Sequence, residues 1–353
     1  MKPFTYTANP SRVVFGVGAL AQLGAEVERL GATRALVLST PGQVALAGRA
    51  ADLLGDRAVG VFAQAMMHVP VETARQARAE AQRLGADCAV AIGGGSTTGL
   101  GKAIALESGL PIIAVPTTYA GSEMTPIWGL TEGGVKKTGR DTRVLPRTVI
   151  YDPALTLTLP VALTVTSAIN AVAHAAEGLY APDGNPITAL MAEEGIRASA
   201  VALAALSADP FDLAARSDAL YGAWLCGSVL GSVAMGLHHK LCHTLGGSFN
   251  LPHAAVHTVI LPHALAYNAA AAPEAMARIA RALGHDDAAQ GVFALARRHG
   301  AAISLRALGM PADGLDRAAD LAVNAPYPNP QPLERAALRA LLQRAFDGLA
   351  PSA

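Results

Sequence analysis

Short apolar runs recur at regular intervals through roughly the first 150 residues. They are Ala35-Leu-Val-Leu-Ser39, Ala58-Val-Gly-Val-Phe62, Cys88-Ala-Val-Ala-Ile92, Ile112-Ile-Ala-Val115 and Thr148-Val-Ile-Tyr151. Runs this short, rich in β-branched residues, predict buried strands. Between them lie amphipathic stretches such as Val71 to Leu84, whose Glu and Arg residues share an outer face. Strand and helix in alternation predict βαβ units around a parallel sheet. After Asp152-Pro153 the pattern changes. From about Val161 onward no strand is expected, only Ala- and Leu-rich helical segments broken by Pro and Gly near 182–186, 207–210, 247–252, 309–311 and 326–332. The expectation is an α/β domain over residues 1–157 and an all-helical domain over 158–353, without internal repeats.

Composition narrows the class. Of 353 residues, 52% are hydrophobic and 15% charged, as in a well-buried globular enzyme and unlike a disordered chain. The formal net charge is zero, which gives no electrostatic case for nucleic acid or an anionic membrane. No uninterrupted apolar run is long enough to span a bilayer, and the opening Met-Lys-Pro-Phe-Thr-Tyr lacks a signal-peptide core. The three cysteines, Cys88, Cys226 and Cys242, show neither pairing nor CxxC spacing and are expected to be reduced thiols in a cytoplasmic protein.

Two turns carry candidate chemistry. Gly93-Gly94-Gly95-Ser96-Thr97-Thr98-Gly99-Leu-Gly101-Lys102 leads from a predicted strand straight into a predicted helix. Glycines at such a junction allow close approach of a phosphate, and the helix N-terminus offers free N–H groups. Ser96 and Thr97 add hydroxyls. The pattern is neither GxGxxG nor a Walker A loop, and a tight strand–helix turn would also explain it. A second hydroxyl-rich turn, Pro116-Thr117-Thr118-Tyr119-Ala-Gly121-Ser122-Glu123, follows the next strand. Two such turns at strand carboxyl ends favour a nucleotide as ligand of the α/β domain.

The helical half carries the other candidate chemistry. Asn170 and His174 stand four residues apart, as do His239 and His243, and His253 follows Leu-Pro. Residues i and i+4 share a helix face, so each pair can point one way. Three imidazoles and an Asp would make a good site for Fe²⁺ or Zn²⁺; Asn170 leaves that set one anion short. Of the ten histidines, His68, His285 and His299 are expected in surface or turn positions, and His238, His257 and His263 as core or supporting residues. His239-x-x-x-His243 has Lys240 where a zincin has its Glu, which excludes a metalloprotease. Adjacent Cys242 and His243 point about 100° apart on a helix and make no dyad. No GxSxG elbow is present.

Together, Gly93-Gly-Gly-Ser96, Pro116-Thr-Thr, Ala171-Val-Ala-His174-Ala-Ala-Glu177 and the segment His239 to His253 resemble the iron-containing (group III) alcohol dehydrogenase superfamily. The resemblance runs from Phe15-Gly-x-Gly18 to Leu261-Pro-His263. Within it, the turn Gly93 to Ala105, with Gly99 and with Asn170 further on where most of the superfamily has Asp, is similar to the maleylacetate reductase branch. The resemblance implies the two-domain dehydroquinate-synthase-like fold. It places four metal-ligand positions on Asn170, His174, His239 and His253, with metal not required because Asn170 is neutral. It matches His243 to an additional active-site histidine. It places the cofactor against Gly93, Gly94, Gly95, Ser96, Thr97, Thr117, Thr118 and Leu157. Ser39 and Thr40, closing the first predicted strand, occupy the ribose end with no carboxylate to repel a 2′-phosphate, so NADH is expected as cofactor and NADPH is expected to be accepted.

The implied reaction is reduction of the C=C bond of maleylacetate to 3-oxoadipate, a step in aromatic-compound degradation. His243 and His253 are expected to act as acid and as partner of the enolate oxygen, the two roles undivided between them, with His174, His239 and Asn170 shaping the pocket. Tyr119, Ser122, Lys240 and Lys136 are candidates for the substrate carboxylates, Lys136 and Lys137 also fitting a solvated loop. An Fe- or Zn-dependent alcohol or polyol dehydrogenase of the same superfamily is the alternative, and a dehydroquinate-synthase-like lyase a remoter one. The resemblance also implies a homodimer.

Overall fold

The computed structural model describes residues 3–9, 11–133, 135–324 and 327–352. The chain divides into two compact units, Ala8–Leu159 and Pro160–Ala353, the segment ahead of Ala8 grouping with the second. The division thus falls at Leu159/Pro160, two residues beyond the expected 157/158 boundary, and the N-terminal segment, expected in the α/β part, falls outside it.

Unit Ala8–Leu159 is built on six parallel strands: Arg12–Phe15 (β1), Ala35–Leu38 (β2), Ala58–Phe62 (β3), Cys88–Gly93 (β4), Ile112–Pro116 (β5) and, after a hairpin, Thr148–Tyr151 (β8). Their order is β1-β8-β5-β4-β2-β3. From β2 the chain first moves outward to β3, then returns to place β4 on the other side of β2. The carboxyl ends of β2 and β4 therefore flank the point at which the winding reverses, where open α/β sheets bind ligands. Every residue of β4 and β5 is buried, because helices cover both faces of a parallel sheet. The helices include Leu23–Arg29 (α1), Val44–Leu54 (α2), Val71–Arg83 (α3) and Gly95–Ser108 (α4).

Five strands lie where the apolar runs predicted them. β1 and the antiparallel hairpin Ile127–Glu132 (β6) with Val135–Arg140 (β7) were not anticipated. Lys136 and Lys137 therefore stand on a strand and not in a loop. The sequence Val-Lys-Lys-Thr-Gly-Arg lacks apolar alternation, and its strand is held by main-chain pairing to β6. β1 has only three apolar residues, too few for a periodic signal.

Unit Pro160–Ala353 is helical, with no strand among its described residues. Its elements are Val161–Leu179 (α5), Pro186–Ala208 (α6), Leu213–Ser232 (α7), Leu237–Phe249 (α8), His253–Asn268 (α9), Pro273–Leu283 (α10), Ala288–Arg298 (α11), Gly314–Val323 (α12) and Arg335–Asp347 (α13). The expected breaks near 182–186, 207–210 and 247–252 fall at helix ends. The last, near 326–332, begins at Pro326, which lies outside the described residues. No single described helix is both long and apolar enough to cross a membrane; α7 and α8 meet that test only when joined across a 97° bend.

Candidate active site

Each unit carries its own half of the candidate chemistry. In the α/β unit, Gly93 closes β4 with φ 152°, and a β-carbon there would lie 2.4 Å from Thr97 Oγ1. Only glycine fits. Gly94 precedes α4 with no side-chain cap, so the first amides of that helix are left for a ligand. Thr118 packs against Gly94, its methyl 3.0 Å from where a β-carbon would stand. The two turns are joined directly: the Thr117 amide donates to Gly93 O at 3.0 Å, and Gln43 Nε2 donates to Thr117 Oγ1 at 3.0 Å. Gly95, Ser96, Thr118 and Leu157 are half-exposed.

Three expectations need correction here. Ser39 is fully buried and donates its hydroxyl to Ile92 O at 3.1 Å, clamping β2 to β4, so it does not present a hydroxyl to a ribose. Thr40, half-buried, is the position left at that strand end. Thr97 is fully buried, its hydroxyl filling the space that Gly93 leaves. Tyr119, also fully buried, belongs to the interior and offers no surface to a substrate.

Ser122 is held from beneath by Lys102, the last residue of the glycine-rich stretch that begins at Gly93. Lys102 is almost fully buried, and its ammonium donates to the carbonyls of Ser122, Thr125 and Ile127 at 2.6, 2.8 and 2.7 Å. Burial pulls its pKa down to about 7, and the buried Glu123 carboxyl pulls in the opposite direction. Lys136 is half-buried on β7, with its pKa lowered by burial.

In the helical unit, three helices bring eight polar side chains together. Helix α5 presents Asn170, His174 and Glu177 at i, i+4 and i+7. Helix α8 contributes His238, His239 and His243, and α9 contributes His253 in its first turn and His257 one turn later. His174 stacks on His239 with ring centroids 5.1 Å apart, His239 lies 5.0 Å from His257, and His257 lies 4.4 Å from His253. His243 stacks on His253 at 6.4 Å.

The cluster is graded. His174, His238, His239 and His257 are buried, His253 is half-buried and His243 is exposed. Burial, reinforced by the neighbouring imidazoles, holds His174, His238 and His257 well below the ordinary imidazole range. His238 and His257 share a 2.9 Å hydrogen bond, the supporting role expected of them. Lys240 is half-buried on α8. Cys242 turns toward His238, with Sγ 3.6 Å from Nε2, and burial raises its thiol pKa.

Glu177, at the end of the motif that begins at Ala171, has a role that its spacing along the chain does not announce. It accepts the amides of Gly236, His238 and His239 at 3.0, 2.8 and 3.3 Å, so a carboxylate from α5 caps the start of α8. Gly236 makes this possible, since a β-carbon there would crowd Glu177 Oε1 and Pro328 O at 3.2 and 2.9 Å. Glu177 Oε2 also meets His239 Nδ1 at 2.6 Å, which fixes the tautomer and leaves Nε2 with its lone pair.

His239 Nε2 and His174 Nδ1 are buried with no hydrogen-bond partner among the described residues. Nitrogens of this kind, one oriented by a carboxylate, fit a divalent cation. Asn170, at the remaining position, contributes a neutral amide and brings no anion. His238, Cys242 and His257 form a separate group whose donor atoms lie within 4.8 Å of one another.

The glycine turn at the carboxyl end of β4 and the histidine cluster of the helical unit are the two candidate sites. The chain matches the family described as Iron-containing alcohol dehydrogenase over residues 10–153 and that described as Fe-containing alcohol dehydrogenase family, C-terminal, over residues 164–346. It belongs to the iron-containing alcohol dehydrogenase family. It is 70% identical over 352 residues to a maleylacetate reductase of Burkholderia cepacia, covering all of both chains. It is 58% identical to that of Sphingobium indicum over 99% of each. The crystal structure of maleylacetate reductase from Agrobacterium tumefaciens superposes with a TM-score of 0.96 at 56% identity, over 99% of this chain and all of that one.

Proposed function

We propose that this chain reduces the carbon–carbon double bond of maleylacetate to 3-oxoadipate, acting as a cytoplasmic homodimer. The carrying observation is the pair His243 and His253, stacked at the open end of a histidine cluster whose inner members are buried. A proton donor must exchange with solvent, and these two rings can. The named relatives support the substrate, at 70% and 58% identity over essentially the whole chain.

NADH, or less readily NADPH, supplies the hydride. The amides opening α4, with Gly94, Gly95 and Ser96, hold its phosphates, and Thr117 and Thr118 line the adjoining turn. Hydride addition to the alkene carbon β to the ketone drives an electron pair onto the ketone oxygen. An imidazole N–H from His243 or His253 meets that negative charge, and the other ring protonates the adjacent carbon, so one hydride and one proton are consumed per double bond. Lys240, on the same helix as His243, meets a substrate carboxylate.

His174, His239, His253 and Asn170 would hold a divalent metal, which would supply Lewis-acid polarisation of the ketone oxygen. The reaction as written does not call for it, because the donor set lacks an anion while N–H groups are at hand. Oxidation of NADH with freshly generated maleylacetate, with and without prior dialysis against a strong chelator, tests both points. The expected result is turnover that survives chelation. Activity lost to chelator and restored by Fe²⁺ or Zn²⁺ would favour metal-dependent chemistry, which the buried nitrogens of His174 and His239 could serve. No turnover of maleylacetate at all would overturn the assignment.

A further inference from the structure

The segment joining β3 to α3 contains two consecutive non-glycine residues in the left-handed region, His68 at φ 63° and Val69 at φ 47°. For a β-branched residue this backbone is costly, by roughly 1–2 kcal/mol, and it persists only where the surroundings impose it. Three ties do so here. Thr131 of β6 donates its amide to Val69 O at 3.1 Å and its hydroxyl to His68 O at 2.8 Å. At the other end of the segment, Ala65 N donates to Ser39 O at 2.9 Å, at the carboxyl end of β2. Between them the buried Val69 side chain drops onto α4 at Gly99, where a β-carbon would lie 2.7 Å from Val69 Cγ2.

The segment therefore bridges the two rims of the ligand crevice: the end of β2 beside Thr40, and the opening turns of the helix whose amides face the phosphates. We propose that Val69 is a positioning residue for the dinucleotide, and that the missing side chain at Gly99 is what lets it seat this segment against α4. The proposal rests on the dinucleotide reading above. Val69 touches no reacting atom; it acts by setting the distance between the two rims. Valine is stiff about χ1, so a methyl at position 99 cannot be absorbed by rotating its side chain, and the segment has to move.

Gly99→Ala separates this role from simple stability. Alanine is the better helix former by about 1 kcal/mol, so α4 itself is not weakened. NADH affinity is read directly, by fluorescence titration in the absence of maleylacetate. The expected result is a Kd for NADH raised about tenfold, the scale of overpacking by one methyl, with kcat at saturating NADH changed less than about twofold. The double variant Val69→Ala, Gly99→Ala removes the obstructing methyl and should bring Kd back to within about threefold of wild type. An unchanged Kd in Gly99→Ala overturns the inference and leaves the dinucleotide reading standing, as does a double variant no better than the single one. Wild-type protein that binds no NADH overturns both.

Discussion

Glu177 Oε2 lies 2.6 Å from Nδ1 of His239, and the same carboxylate caps the helix on which His239 stands. One side chain thus fixes both the start of α8 and the tautomer of a ring in the cluster. Glu177→Ala would leave three amides and an imidazole N–H without their acceptor in a buried site. At roughly 1–3 kcal/mol for each buried donor left unsatisfied, the expected loss is at least about 4 kcal/mol in urea unfolding. Glu177→Gln keeps the shape but turns an amide NH₂ toward donors, and should fall between wild type and alanine. A loss below about 1 kcal/mol for Glu177→Ala would show that the cap contributes little.

The contrast between exposed and buried rings gives a second expectation. His243→Ala should lower kcat by roughly 10²–10⁴-fold, the range for a general acid, with NADH affinity and unfolding midpoint close to wild type. His257→Ala breaks the hydrogen bond to His238 and opens a cavity among buried rings, so its effect should fall first on stability. Steady-state kinetics together with thermal unfolding of both variants separate the two. Equal kcat losses with equal destabilisation would remove the distinction.

A third expectation concerns acid. In the unfolded chain His174, His238 and His257 titrate near 6.5, whereas burial holds the folded rings neutral well below that value. Unfolding therefore takes up protons once the pH drops below about 6.5. Stability is fully present above that pH and is lost on acidification, by up to roughly 1.4 kcal/mol per pH unit for each ring. Unfolding midpoints of metal-free protein measured between pH 7.5 and 5.5 should fall steeply below 6.5. A flat profile would mean that the rings charge without penalty.

Cofactor choice now turns on one position. With Ser39 committed to Ile92 O, Thr40 alone offers its side chain at the end of β2. Thr40→Asp should depress kcat/KM for NADPH far more than for NADH, by about tenfold or more, because a carboxylate beside a 2′-phosphate is a close like-charge contact. Parallel measurement with both cofactors checks it. Equal losses would show that position 40 does not face the ribose.

Much of this protein was readable from its sequence, and what was readable is local. Five of the strands, the division into a sheet half and a helical half, the Gly93–Gly95 turn and the i, i+4 pairs Asn170/His174 and His239/His243 all follow from short apolar runs, a glycine cluster and the helical period of 3.6 residues. Each of these signals repeats or sits within one stretch of chain. The inward turn of Ser39, the burial of Tyr119 and Thr97, the Lys102 cradle beneath Ser122 and the carboxylate of Glu177 at the start of α8 depend on which elements pack together. No spacing along the chain encodes that. Glu177 is 59 residues from Gly236 and Val69 is 30 from Gly99, yet each pair is a single contact. Packing chose those partners because a buried donor must find an acceptor and a side chain must find room, and both conditions are met only once the whole unit has closed.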